Sequence, residues 1–322
     1  MAGGGEFDFI RTRLAPLTRG HPAALSLRDD AAILTPREGQ QIVLASDMLI
    51  AGVHFLDTDA PEIAAERAIR SNLSDLAAMG AMPLGYLSSI GWSRSATADW
   101  RERFIDGLAL AQDAFGLRLL GGDTTAGPGP FSISLTLIGE VPQGEALLRT
   151  TARAGEDVWV SGTIGDAVLG LEIARGESAA EPGLLERYQR PQPRLELGIA
   201  LRGLASACMD VSDGLIADAG QLARASGIGI ELAAQDVPLS DAARSRIAGE
   251  GEAGLIRLVT GGDDYELIFS APAHHRAALN GLAGRLGLSL SRIGRTVEAP
   301  GVTLLDAKGE PITVGAGGFT HF

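Results

Sequence analysis

Apolar residues recur at helical spacing along several stretches of the chain, and most of these stretches end at a glycine. Before Gly80, residues Ile69, Leu73 and Leu76 form one apolar face, which is typical of a helix packed on a core. The same pattern predicts four further helices, over residues 97–115, 165–176, 212–227 and 271–287. Short apolar runs between them predict strands, over residues 41–45, 131–139, 157–161, 229–232, 255–259 and 266–270. Alternating helices and strands indicate an α/β or α+β fold.

Two polar residues stand out on the first of these helices. Asn72 and Asp75 lie one turn apart on the flank of its apolar face, and the sequence offers no basic residue beside the acid. A charge next to a packed face is costly unless something compensates it, because burial removes its hydration. The pattern therefore raises the question of what Asp75 binds.

The chain changes from helix-rich to turn-rich between Val141 and Gly162. We place a domain boundary there and predict two domains, of residues 1–148 and 149–322. The length of 322 residues is sufficient for two domains of ordinary size. A polar, proline-punctuated stretch over residues 174–193 predicts an insertion or a surface loop within the second domain.

Composition narrows the class of protein. The chain is 45% hydrophobic and 21% charged, as in globular proteins. A single cysteine, Cys208, excludes a disulfide framework and a multi-cysteine zinc site. No apolar run approaches the ~20 residues that span a bilayer, and the first residues lack the basic start and apolar core of a signal peptide. We therefore expect a cytoplasmic protein with no membrane partner.

The charge balance excludes further classes. A formal net charge of −13 argues against a nucleic-acid surface, because binding phosphates along a nucleic acid requires a basic patch. Lys308 is the only lysine among the 27 basic residues, and it lies in a turn near the end of the chain. The lysines of a P-loop and of a protein kinase are therefore both absent.

Acids follow apolar runs at turns or glycine pairs, where the backbone can approach a ligand closely. These acids are Asp29, Asp30, Asp47, Asp123, Asp210, Asp213, Asp263 and Asp264. Any one of them alone could be a turn residue or a helix cap, Asp213 in particular. If they converge, their mutual repulsion requires a hard cation, and oxygen ligands of this kind suit Mg²⁺ shared with phosphate oxygens. The pattern favours a metal–nucleotide site.

Residues for covalent or acid–base catalysis are not apparent. The sequence has no HExxH, GxSxG or GxGxxG motif and no local Cys–His or Ser–His signature. We accordingly predict no catalytic side chain. His54, in "DMLIAGVHF", is the histidine best placed to meet a ligand, although packing beside Phe55 is the alternative interpretation.

Taken together, the motifs resemble a known family. They are "GEFDFI", "RDDAAIL", "SDMLIAGVHF", "RSNLSDLAAMGAMPLG", "LLGGDTT", "MDVSDGL", "GGDDYEL" and "GFTHF", in order from Gly5 to Phe322. This set is similar to the thiamine-monophosphate kinase family. "SDLAAMGAMP" and "GGDTT" are shared with the wider aminoimidazole-ribonucleotide synthetase superfamily, whereas "GVHF" with "GFTHF" points to the thiamine enzymes.

The resemblance implies a fold and an activity. It implies a two-domain synthetase-like α/β fold, with an N-terminal ATP- and Mg²⁺-binding domain that dimerises through its sheet and a C-terminal α/β domain. It implies transfer of the γ-phosphoryl group of ATP to thiamine monophosphate, giving thiamine diphosphate in the last step of its biosynthesis. Several Mg²⁺ ions would assist, and the protein would be a cytoplasmic homodimer.

The resemblance also implies site residues, position by position. Metal ligands would be Asp30, Ser46, Asp47, Asp75, Asp123, Asp210 and Asp213. ATP contacts would be Gly122, Asp123, Arg149 and Ser212. Contacts to the thiamine substrate would be His54, Asp263 and Phe319. Two departures from the family pattern bear on these roles. Asp263 replaces a glutamate of "GGEDYEL", and where the family usually has a threonine near Ser46, Ala45 has no side-chain ligand.

This reaction suits the residues present. A phosphate monoester has a second pKa near 6, so the acceptor oxygen is already mostly ionised at neutral pH and needs no general base. The obstacle is the repulsion between two anions, which positioning and charge neutralisation overcome. Arg149 could supply charge in place of a lysine, and Phe319 could stack on a thiamine ring.

Alternatives remain at this point. Another ATP-using member of the superfamily is one, although a selenophosphate synthetase would carry a reactive N-terminal cysteine and a hydrogenase-maturation relative a C-terminal one. A non-enzymatic cation- or nucleotide-binding protein is another.

Overall fold

The computed structural model describes residues 5–315 of the chain. It divides into two compact units. One contains the residues up to Leu76 together with Ala81–Gly144, and the other contains Ala77–Gly80 and the residues from Glu145 onward. The predicted boundary between residues 148 and 149 stays a prediction.

The first unit is an α/β arrangement built on a four-stranded sheet. Strand β1 pairs antiparallel with β4, β4 pairs antiparallel with β2, and β2 pairs parallel with β3. Its elements are α1 (Glu6–Phe9), β1 (Gln40–Ile50), α2 (Pro61–Ala78), β2 (Met82–Ser93), α3 (Ala98–Ala114), β3 (Leu119–Gly127) and β4 (Ser132–Pro142). Short 3₁₀ and π turns connect α1 to β1 over residues 10–27.

The two faces of this sheet differ. On one face, Leu135 of β4 and Tyr86 of β2 are buried, and the apolar face of α2, including Leu73, is buried as well. We call this the helix face. On the other, open face, Leu44 and Met48 of β1 are 65% and 53% exposed. Side chains alternate between the faces along each strand, so the register assigns every strand residue to one of them.

The second unit contains a mixed seven-stranded sheet in the order β11–β10–β7–β9–β5–β8–β6. Helices α4 and α7 and the strands β5 and β6 contribute to its large apolar core. Its elements are β5 (Asp157–Ser161), α4 (Asp166–Ala174), α5 (Pro182–Gln189), α6 (Leu195–Ala200), β6 (Ala207–Val211), α7 (Leu215–Ser226), β7 (Gly229–Ala233), α8 (Asp241–Ile247), α9 (Glu252–Thr260), β8 (Glu266–Ala271), α10 (Arg276–Leu286), β9 (Leu290–Val297), β10 (Gly301–Leu305) and β11 (Pro311–Ile312).

One predicted strand was wrong, and one stretch predicted as an insertion or a loop contains a helix. Residues 255–259 lie within helix α9 rather than in a strand, with Gly254, Leu258 and Val259 buried at helical spacing. The stretch over residues 174–193, predicted as an insertion or a surface loop, contains helix α5, which begins at Pro182 and buries Leu184 and Tyr188. In both cases tertiary packing of an i, i+4 pair decides the structure.

Helix α2, with 18 residues, is the longest helix in the described part of the chain. No helix within residues 5–315 is both long enough and apolar enough to cross a membrane.

Candidate functional site

A cavity of about 480 Å³ lies against the first unit's sheet and brings several predicted residues together. Asp30 and Asp123, both exposed, line it together with Gly122. Its apolar wall includes Leu27 and Leu87. A cavity of this size is ordinary for a small-molecule site, and it places two of the predicted metal ligands beside a predicted ATP contact.

Gly122 is required where it stands. Its φ of +152° is a value that residues with side chains rarely adopt. A Cβ atom here would overlap the carbonyl oxygen of Ser88 on the neighbouring strand β2. The glycine therefore lets β3 approach β2 closely just before Asp123, which is why the acid of "LLGGDTT" follows a glycine pair.

Asp47 lies on β1 and is tied to α2 by a side-chain amide. The N–H of Asp47 donates to Oδ1 of Asn72 at 3.2 Å, and Nδ2 of Asn72 donates to the carbonyl of Ala68 at 2.9 Å. Asn72 is fully buried. Asp75, three residues further along the same helix, is half-buried.

The register separates the first unit's acids between the two faces of the sheet. Asp47 pairs with the buried Leu135, so its side chain belongs to the helix face, where α2 packs. Ser46 belongs to the open face, and its hydroxyl lies 3.3 Å from that of Thr136. Asp123 pairs with Ser89, which also belongs to the open face. Asp47 and Ser46, although adjacent, therefore point in opposite directions.

His54 lies in the loop after β1, where hydrogen bonds to its ring and its backbone hold it. The N–H of Ile50 donates to Nδ1 of His54 at 3.0 Å, so the neutral imidazole carries its proton on Nε2. The buried Arg67 of α2 donates from Nε to the carbonyl of His54 at 3.0 Å. The ring can therefore act as an N–H donor. Arg67 was missed from the sequence, where it reads as one more basic residue of an amphipathic helix.

In the second unit, the predicted acids Asp210 and Asp213 flank the turn between β6 and α7. One oxygen, Oδ2 of the buried Asp218, accepts three backbone N–H groups of this turn, from Ser212 and Asp213 at 3.0 Å and from Gly214 at 3.1 Å. Burial, helped by the neighbouring charges of Asp210 and Asp213, raises the pKa of Asp218 to about 7. Sequence reasoning missed Asp218, although an acid in the first helical turn after "SDG" indicates such a cap.

The glycine pair before Asp263 allows a second loop to pack on this turn. A Cβ atom at Gly262 would overlap the carbonyl oxygen of Ser212. That carbonyl instead accepts the N–H of Asp263 at 2.8 Å. The backbone of Asp263 is left-handed, with φ of +73°, a conformation that aspartate tolerates better than most residues. Its Oδ1 accepts from the hydroxyl of Tyr265 at 3.3 Å.

The next acid of this loop is structural. Asp264 is buried and accepts the N–H of Gly165 with both carboxylate oxygens, at 3.0 and 2.8 Å. Burial raises its pKa well above the ordinary value. Glu266 is also buried, and although burial opposes the change, hydrogen bonds and charge from Arg194 and Arg187 lower its pKa. These two acids fix the loop rather than face a ligand.

Three predicted residues remain: Arg149, Ser212 and Phe319. Arg149 has an exposed side chain, and its carbonyl accepts from the hydroxyl of Ser226 at 2.8 Å. Ser212 is half-buried in the turn described above. Phe319 lies outside the described residues.

The predicted ligands have the type of donor atom that Mg²⁺ prefers. All the predicted ligands are carboxylates or a hydroxyl, and Mg²⁺ is commonly bound by one or two carboxylates with waters and substrate phosphates. Within the described residues, no three His, Cys, Asp or Glu side chains form a group that could hold a metal ion by themselves. Asp30 and Asp123, which line one cavity, are carboxylates of the kind that bind Mg²⁺ together with the oxygens of a phosphorylated ligand.

Comparison with known proteins gives this arrangement a class. The chain matches the family model of the AIR synthase related protein, N-terminal domain, over residues 28–141, and the C-terminal domain of the same family over residues 153–307. Fold and site thus define a two-domain protein of the AIR synthase related class. This confirms the predicted fold class and superfamily.

Sequence relatives identify the family within that class. The chain is 43% identical over 319 residues to the thiamine-monophosphate kinase of Caulobacter vibrioides, covering 98% of this chain and 90% of the relative. It is 38% identical to that of Escherichia coli K12, covering 99% and 98%. The chain belongs to the thiamine-monophosphate kinase family, as the sequence motifs predicted.

Solved structures agree. The thiamine-monophosphate kinase of Stenotrophomonas maltophilia superposes with a TM-score of 0.84 at 40% identity, covering 96% of this chain and 98% of that one. AaThiL complexed with AMPPCP and TMP superposes with a TM-score of 0.79 at 31% identity, covering 99% and 97%. A hydrogenase maturation protein HypE in complex with ATP, at 19% identity and a TM-score of 0.79, shares the fold.

Proposed function

We propose that this protein transfers the γ-phosphoryl group of ATP to thiamine monophosphate, producing thiamine diphosphate. The observation that carries the proposal is its likeness to thiamine-monophosphate kinases along almost the whole length of both chains. A related structure was solved with AMPPCP and TMP. ATP and thiamine monophosphate are then the two substrates, and the last step in making thiamine diphosphate is the role.

The chain's own residues would act by positioning. The acceptor phosphate is mostly ionised at neutral pH, so no side chain has to remove a proton. Arg149, whose side chain is exposed, would neutralise phosphate charge. His54, with its proton on Nε2, would donate a hydrogen bond to the substrate, and Asp263 and Phe319 would complete the contacts to the thiamine part. Gly122, Asp123 and Ser212 would contact ATP.

The predicted acids and one hydroxyl would hold Mg²⁺. We assign this role to Asp30, Ser46, Asp47, Asp75, Asp123, Asp210 and Asp213. Mg²⁺, when bound, would neutralise the phosphates and orient the donor and acceptor oxygens for in-line transfer. The donor set supports the assignment, because it contains only oxygen ligands, and the exposed Asp30 and Asp123 line one cavity.

We further propose that the protein is a cytoplasmic homodimer that joins through the open face of the four-stranded sheet. Support comes from Leu44 and Met48, two large apolar side chains exposed on that face. A single exposed apolar residue is ordinary, whereas two large ones on one sheet face favour an interface. Nucleic acid is not an expected partner, given the net charge of −13.

Separation of the products by chromatography tests the function. Purified protein incubated with ATP, MgCl₂ and thiamine monophosphate should form equal amounts of ADP and thiamine diphosphate. ADP formation that does not require thiamine monophosphate would indicate another ATP-using member of the superfamily. Binding of ATP without turnover would indicate a nucleotide-binding protein and would contradict the proposal.

A further inference from the structure

The buried amide of Asn72 has no direct part in the proposed chemistry. In the sequence, however, Asn72 lies between two predicted metal ligands, Asp47 and Asp75. Asn72 is fully buried on α2, three residues before Asp75. A buried amide is costly unless its donor and acceptor are both satisfied. Both are satisfied here. The amide nitrogen of Asn72 donates to the carbonyl of Ala68, and its oxygen accepts the N–H of Asp47.

These two bonds connect a helix to a strand at a specific residue. Ala68 is one turn before Asn72 on α2, so the first bond fixes the side chain against its own helix. The second crosses 25 positions of sequence and ends on the backbone of Asp47 itself. The amide therefore sets where β1 lies along α2 at the residue that carries the acid.

Asp75 shares this attachment because it follows Asn72 by three residues, about one helical turn. The register places Asp47 on the helix face of the sheet, the face on which α2 packs. The turn of α2 that carries Asp75 and the strand that carries Asp47 are thus joined by one side chain. The apolar contacts of Leu73 and Leu76 hold the same helix against the core but have no directional preference of their own.

We infer that Asn72 is a positioning residue, which holds the carboxylates of Asp47 and Asp75 in register for Mg²⁺ without itself binding the ion. The inference rests on the proposed metal-binding role of these two acids. A neutral amide suits this position, because a basic residue would compete with the cation for the carboxylates. Outer partners of metal ligands typically contribute 10- to 100-fold in metal affinity.

A matched control exists in the same unit. Gln112 of α3 is also a fully buried amide, and it also joins separate segments: it accepts from the hydroxyl of Tyr86 at 3.0 Å and donates to the carbonyl of Leu17 at 2.9 Å. None of these residues is a predicted ligand. Replacing Gln112 therefore tests the effect of losing a buried amide without touching the acids.

The test measures Mn²⁺, as a paramagnetic substitute for Mg²⁺, bound to the full chain in the presence of AMPPCP, by electron paramagnetic resonance. Asn72→Leu should weaken Mn²⁺ binding by about tenfold or more, whereas Gln112→Met should leave it within about twofold of the wild type. Asn72→Ser, which is too short to reach Asp47, should weaken binding in the same way and serves if the leucine variant does not fold.

The outcomes separate the two claims. A wild type that binds no Mn²⁺ would contradict the proposed function together with the inference. A wild type that binds Mn²⁺, with folded Asn72 variants that bind it equally well, would overturn the inference alone. Equal weakening in the Asn72 and Gln112 variants would also overturn it, because the cause would then be general loosening of the unit.

Discussion

The two units hold the segments that carry their predicted metal ligands in different ways. In the first unit, Asp47 and Asp75 belong to a strand and a long helix, and the neutral amide of Asn72 joins the two elements. In the second, Asp210 and Asp213 flank a short turn that wraps its backbone N–H groups around the buried carboxylate of Asp218. The first unit thus joins two regular elements through a side-chain amide, whereas the second unit gathers three backbone N–H groups of a turn on one carboxylate oxygen.

The largest effect should come from the acids of the first unit. Asp47→Asn and Asp75→Asn each remove a charged ligand, and the loss of several kcal/mol of transition-state stabilisation corresponds to at least about 1,000-fold in kcat. The melting temperature should hardly change. Steady-state assays with thermal unfolding measure both quantities. Asp106→Asn, an exposed acid paired with Arg13, is the control and should remain active; an active Asp47→Asn would contradict the assignment.

In the second unit, the sensitive position should be Asp218, which supports the turn between β6 and α7. Asp218→Leu leaves three backbone N–H groups without their acceptor, which should lower the free energy of unfolding by about 3 kcal/mol. Displacement of the turn that carries Asp213 should also reduce kcat/KM about 100-fold. Asp218→Asn keeps an acceptor oxygen and should lose much less of both. Equal losses in the two variants, measured by urea unfolding and kinetics, would show that the shared acceptor is not what holds the turn.

A smaller effect is expected where the two loops of the second unit meet. Gly262→Ala introduces a Cβ against the carbonyl of Ser212, so the Asp263 loop must shift. Overpacking of this kind costs about 1–3 kcal/mol, and we expect kcat/KM for thiamine monophosphate to fall about tenfold. Gly284→Ala, at a glycine with open space around it, should have no such effect. An unchanged kcat/KM in Gly262→Ala would show that the close approach is not needed.

The smallest effect is expected for Asp157, an acid that stabilises the fold and has no predicted role in the site. Asp157 on β5 accepts two hydrogen bonds of 2.6 Å from Arg276, and these lower its pKa. A carboxylate whose pKa is lowered by folding stabilises the protein at pH values above its pKa in the unfolded state, which is near 4. This stabilisation is lost as the pH falls through the pKa of the folded state. Because Arg276 is half exposed, Asp157→Asn should cost only about 1 kcal/mol at pH 7.

Urea unfolding as a function of pH checks this prediction. The difference between wild type and Asp157→Asn should shrink as the pH is lowered from 7 toward 3, while activity at pH 7 stays unchanged. A difference that grows on acidification would contradict the sign of the pKa shift. A loss of activity would show that Asp157 does more than stabilise.

The sequence predicted best those elements whose ends carry their own signals. Helix α3 begins after Thr97, whose side chain accepts the N–H of Trp100, and α7 ends at Gly227 in the left-handed conformation; both bounds were predicted closely. Helix α9 was taken for a strand because five residues that are mostly apolar fit either structure. The acid of Glu252 in its first turn and Arg257 in its last turn would have favoured the helix.

The candidate site was predictable in kind but not in arrangement. The acids and glycines follow local patterns, so their positions could be read from the chain. That Ser46 and Asp47 point to opposite faces depends on the pairing of β1 with β4, between residues about 90 positions apart. The role of Asn72 depends likewise on a contact across 25 positions. Such contacts come from tertiary packing, which no local pattern specifies.

The transfer of radiolabel from [γ-³³P]ATP tests the central claim most directly. With MgCl₂ and thiamine monophosphate, the wild type should place the label in thiamine diphosphate, and Asp47→Asn should place none there above background. Label released as inorganic phosphate, or thiamine diphosphate formed without label, would contradict direct phosphoryl transfer by this protein.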